Sequence, residues 1–119
     1  SELIIFDMTQ GYNVKRASEY DHALELTTAA YSFIHHVDQQ LNTFGNARLP
    51  DRTEGFCKGL ADLKQILHYG KEPSPSATPE DYIETAELAS SPLATLLSDW
   101  AILAQQLSLE PYATTIEEQ

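Results

Sequence analysis

Apolar side chains in this chain recur at intervals of three and four residues, a spacing that favours α-helices over any other regular structure. Phe56, Leu60, Leu63 and Leu67 follow one another at four, three and four, so they line one face of a helix. A longer stripe joins Tyr20, Ala23, Leu24, Thr27, Ala30, Tyr31, Ile34, Val37 and Leu41. A third joins Leu93, Leu96, Leu97, Trp100, Leu103, Ala104 and Leu107.

Punctuation between the stripes sets the expected boundaries. Ser18 with Asp21 resembles a capping box, which starts a first helix over residues 18–44, and Gly45 supplies the left-handed residue that ends it. Asp51 with Glu54 opens a second helix over 51–69, closed by Gly70. Thr78-Pro79 opens a third over 79–89, with Glu80 and Asp81 placed where the helix dipole favours negative charge. Ser91-Pro92 repeats that signal and predicts a fourth helix over 92–109, stopped by Pro111. Residues 1–17 read as an extended arm carrying the apolar run Leu3-Ile4-Ile5-Phe6, and 111–119 as an acidic tail. The expectation is an all-α, four-helix bundle-like single domain over 18–110.

Composition supports a packed core rather than disorder, with hydrophobic residues at 42% of 119. No apolar run approaches the ~20 residues of a membrane span. The Leu3–Phe6 run is also shorter than a signal peptide's apolar region and has no basic segment before it. The lone cysteine, Cys57, forms no intramolecular disulfide and suits a reducing compartment, so a cytoplasmic location is expected. Net charge is −11, which disfavours direct contact with nucleic acid or anionic membranes. Residues 76–119 hold eight of the acids and no lysine or arginine.

Chemistry-bearing residues do not assemble into a motif. His35 and His36 are adjacent and diverge on a helix; His35 with Asp38, or His22 with Glu25, offers two ligands at most, and His68 stands apart. Cys57 lies near a helix start beside Lys58, without a base at readable spacing. Glu80, Glu84 and Glu87 share a helix face with nothing apolar between them to raise a pKa. No glycine-rich phosphate loop is present. The chain therefore reads as non-enzymatic, with no cofactor or metal; a small helical enzyme or metal protein is the weakest alternative.

Two surfaces remain as candidates. The predicted fourth helix is apolar on more than its core side: Ile102 and Leu109 fall on a second face with Thr95 and Asp99, and Asp99 is its only charge. That face and the arm residues Leu3, Ile5 and Phe6 are expected to contact another protein or a second copy in a homodimer. The competing reading takes the acidic face of Glu80, Glu84 and Glu87 as a mimic of the DNA backbone that inhibits a nucleic-acid-binding protein.

The stretches Phe6-Asp7-Met8-Thr9-Gln10-Gly11 and Tyr20-Asp21-His22-Ala23-Leu24-Glu25 resemble short helical proteins of pseudomonads, specifically the QslA-type quorum-sensing antiactivators. The resemblance covers about twenty residues together with size and helical layout, and it transfers no binding residue. It implies a non-enzymatic, dimeric helical protein that binds a transcription factor, LasR in that family. Such a protein disrupts the regulator's own dimer and so blocks DNA binding.

Overall fold

A computed structural model of the chain describes residues 10–44 and 53–112, with side chains for 17–43 and 53–112. Among them are three α-helices and no strand: α1 (Gln10–Phe44), α2 (Thr53–Leu67) and α3 (Pro79–Leu107). The all-α expectation holds, but the four-helix bundle does not. The two short helices expected at 79–89 and 92–109 are one continuous helix of 29 residues that runs through Pro92.

A proline inside a helix removes the bond from its own nitrogen to the carbonyl four residues back, here Leu88. Leu88 lies on the exposed side of α3. Burial of Ala89 and Leu93 on the inner side holds the two halves of α3 in line. Long-range packing overrides the local start signal. The true start is the expected one: Thr78 Oγ1 accepts from the Asp81 amide at 3.2 Å, and Asp81 Oδ2 accepts from the Thr78 amide at 2.9 Å.

α1 likewise begins earlier than Ser18, so Ser18 lies inside a helix and residues 10–17 are helical rather than extended. Gly11 and Asn13 are poor helix formers, but each costs about 1 kcal/mol or less, too little to stop a helix of this length.

Helix ends also differ from expectation. α2 closes at His68, in the left-handed conformation at φ 53°, with the Tyr69 amide bonded to the Lys64 carbonyl at 2.9 Å. α3 closes in the same way at Ser108, φ 58°, with the Leu109 amide on the Ala104 carbonyl at 2.8 Å. Both are Schellman ends built without glycine. Gly70, at φ 85°, turns the loop beyond α2 rather than ending the helix.

α1 and α3 run parallel: Tyr20 packs on Tyr82, His36 on Trp100, and Gln40 reaches Glu110. α2 runs antiparallel to both, bringing Leu67 to Tyr31, Lys64 to Asp38 and Phe56 to Trp100. α3 is the central helix; α1 and α2 each pack on it and only lightly on each other. Buried alanines on both sides of the α1–α3 contact, Ala23 and Ala30 against Ala86 and Ala89, let the axes approach closely.

The main core gathers Phe33, Ile34 and Val37 from α1, Phe56, Leu60, Leu63 and Leu67 from α2, and Leu93, Leu96, Trp100 and Leu103 from α3. Every residue of the predicted α2 stripe is buried. On α1, Phe33 belongs to the core although the stripe omitted it, and Tyr31 lies at the edge. The chain after α3 folds back over α1, where Tyr112 packs on Phe33 at 5.3 Å and covers a side of the helix that its own periodicity does not mark.

Candidate protein-binding surface

The buried residues of α3 are Ile83, Ala86, Ala89, Leu93, Leu96, Trp100, Leu103 and Ala104. They fix its inner side against α1 and α2 and turn the opposite side outward. On that outer side lie Leu88, 65% exposed, and Ile102, 58% exposed. Each lies seven positions from Thr95, so all three fall within about 40° of one another around the axis. Ser91, Ser98 and Asp99 lie among them, also exposed. From Leu88 to Leu107 Asp99 is the one charged residue.

Burying a leucine or isoleucine side chain fully is worth about 1.5–3 kcal/mol relative to leaving it in water. More than half of that remains unrealised at both positions. Ile102 was read from sequence. Leu88 was missed, because it falls at the end of the short helix expected at 79–89; its seven-residue step to Thr95 was the available signal.

Leu109 does not belong to this face. It is half-buried against the main core, carried there by the left-handed turn at Ser108. Leu3, Ile5 and Phe6 lie outside the described residues.

Glu80, Glu84 and Glu87 are exposed near the start of α3. Glu84 borders a groove of about 860 Å³ between α1, α3 and the loop of residues 68–78, while Glu87 borders a smaller hollow on the other side of the helix. They therefore straddle a ridge rather than line one cleft. The groove is walled by Thr27, Tyr31, His68, Lys71, Tyr82 and Thr85, and its charged residues are of mixed sign.

The histidines are distributed. His22 and His35 are exposed, and His68 occupies the end of α2. His36 is half-buried, lies edge-on to Trp100 at 6.0 Å, and places Nε2 2.9 Å from the Glu110 carbonyl, so it fastens the segment after α3 to α1. Asp38 pairs with Lys64 at 3.0 Å across to α2 rather than standing free beside His35. Among the described residues no three His, Cys, Asp or Glu side chains gather in a metal-binding group. Cys57 is half-buried. No described helix is long and apolar enough to cross a membrane.

Trp100 is almost wholly buried, stacks on Phe56 at 5.6 Å, and its indole N–H has no hydrogen-bond partner among the described residues. It anchors the inner side of the helix whose outer side is the candidate surface. No protein-family model matches this chain, and no curated protein or solved structure does either.

Proposed function

We propose that the chain is a non-enzymatic, protein-binding regulator that acts through the outer face of α3. The observation that carries this reading is the pairing of Leu88 and Ile102 on one exposed, nearly uncharged helix face in a chain of net charge −11. Acidic small proteins keep solubility by distributing charge; a length of helix spared that charge, with two large aliphatic side chains in water, suits apolar contact. The resemblance to the quorum-sensing antiactivators gives the finer form of the proposal. The target is then a transcription factor whose dimerisation or DNA binding is blocked.

Affinity capture from the native host, at low and high salt, with the parent and Ile102→Asp, tests the reading. The expected result is a DNA-binding regulator retained by the parent at both salt levels and lost by the variant. Retention that fails in high salt and is indifferent to Ile102→Asp would instead support charge mimicry by Glu80, Glu84 and Glu87.

A further inference from the structure

The segment that follows α3 is held on α1 as a bound peptide is held. Glu110 is gripped through both of its backbone groups: its N–H donates to Gln40 Oε1 at 2.9 Å, and its carbonyl accepts from His36 Nε2 at 2.9 Å. A carbonyl only accepts, so that histidine nitrogen carries the hydrogen. His36 and Gln40 stand four residues apart, one turn along the same face of α1. Together they offer one donor and one acceptor to an extended backbone, as the edge of a sheet does. Such a clamp reads no side chain.

Side-chain anchors lie on either side of the clamp. Leu109 packs against the main core, and Tyr112 packs on Phe33 at 5.3 Å and on His36 at 5.5 Å. Pro111 biases Glu110 towards extended backbone and brings no N–H that would need a partner. Glu110 and Pro111 are themselves exposed, and water competes for both clamp bonds.

Charge at the centre of the segment favours a different occupant. Glu110 belongs to a chain of net charge −11 that has no lysine or arginine after Lys71. An extended segment with the same anchors and a basic residue at the central position is attracted by the field that repels Glu110.

We infer that Phe33, His36 and Gln40 form a peptide-binding cradle, which residues 109–112 fill as an internal stand-in. The occupant it fits is an extended segment of a partner protein that presents, in succession, an aliphatic residue, a basic residue, proline and an aromatic residue. This site lies on α1, apart from the outer face of α3, and the partner enters it by displacing the chain's own segment.

Fluorescence anisotropy of a labelled peptide of residues 107–112, Leu-Ser-Leu-Glu-Pro-Tyr, added to the full chain tests this. The tethered segment competes at an effective concentration of about millimolar, so the parent should bind the peptide weakly. Tyr112→Ala in the chain weakens that competitor and leaves the cradle intact, and should raise the apparent affinity by about tenfold or more. Pro111→Gly loosens the segment through its backbone without removing a core contact, and serves even where Tyr112→Ala costs helical content. Adding Gln40→Ala to either variant should abolish the gain. The peptide carrying Glu110→Lys should bind the released chain about threefold tighter or more at low salt, an advantage that high salt should remove.

Equal binding to the parent and both released variants, or binding to none of them, overturns the proposal. So does a gain that Gln40→Ala leaves untouched. A glutamate peptide that binds as tightly as the lysine form at low salt overturns the basic partner. None of these variants touches Leu88 or Ile102, so failure here leaves the reading of α3 to be decided separately by capture with Ile102→Asp.

Discussion

Tyr31 on α1 donates its phenolic hydroxyl to the carbonyl of Leu67, 2.8 Å away, at the last turn of α2. That carbonyl is one of the four a helix leaves without an internal partner, so α1 helps cap α2 at the place where the two helices meet. Burial, with smaller contributions from Tyr69 and Tyr82, holds the Tyr31 phenol above its ordinary pKa of 10.0. The folded state therefore retains a proton that the unfolded chain would release. Stability from this group is complete below pH 10 and is lost as pH rises through the folded value. Tyr31→Phe should cost about 1 kcal/mol at neutral pH and make alkaline unfolding shallower. Urea unfolding of both forms, below and above pH 10, checks it; parallel alkaline slopes would show that Tyr31 is not the titrating group.

Ser108 and His68 occupy left-handed positions at φ 58° and 53°. Side chains there strain against the backbone, and glycine does not. Ser108→Gly and His68→Gly should each raise stability by about 0.5–1 kcal/mol, read as an upward shift in thermal midpoint. A loss at either position would mean that its side chain contributes more than its conformation costs.

Pro92 tests whether α3 is one helix. At an interior position proline is about 3 kcal/mol worse than alanine, while at the first position of a helix it costs almost nothing. Pro92→Ala should therefore stabilise the chain by about 1–3 kcal/mol by restoring a bond to the Leu88 carbonyl. No change in the denaturation midpoint would favour two helices meeting there.

Two glycines of α2 should respond differently to alanine. A Cβ on Gly55 meets nothing within 4 Å, so Gly55→Ala should stabilise by about 0.5–1 kcal/mol through helix propensity alone. A Cβ on Gly59 comes to 3.2 Å from Leu96 Cδ2, where α2 crosses α3. Leu96 is buried and must shift to admit it, so Gly59→Ala should gain less than Gly55→Ala. Equal gains in a thermal melt would mean that the α2–α3 contact is looser than this spacing.

How much of this was written in the sequence depends on whether the deciding contact is local. α2 was legible because Phe56, Leu60, Leu63 and Leu67 face a single neighbouring surface, and one stripe describes one surface. α1 was less so, because it is buried both by α3 and by Tyr112, which lies far along the chain and covers Phe33. Ser91-Pro92 carries a true local preference that the burial of Ala89 and Leu93 overrides. That error hid Leu88 and with it half of the candidate surface. Ile102 is exposed, as its place in the helical period indicates, because the residues that set that period all lie within α3. Leu109 was placed by extending the helical period past Ser108, where the chain has already turned.

The parallel arrangement of α1 and α3 also bears on the order in which structure can form. Among the described residues the most extensive helix contact joins residues far apart along the chain, Tyr20 to Tyr82 and His36 to Glu110, while the neighbours α1 and α2 meet at fewer points, among them Tyr31 with Leu67 and Asp38 with Lys64. No early helical hairpin can act as a stable template, and closing so long a loop is slow for an all-helical chain. Until α3 is present, α1 and α2 lack the partner that buries most of their inner sides.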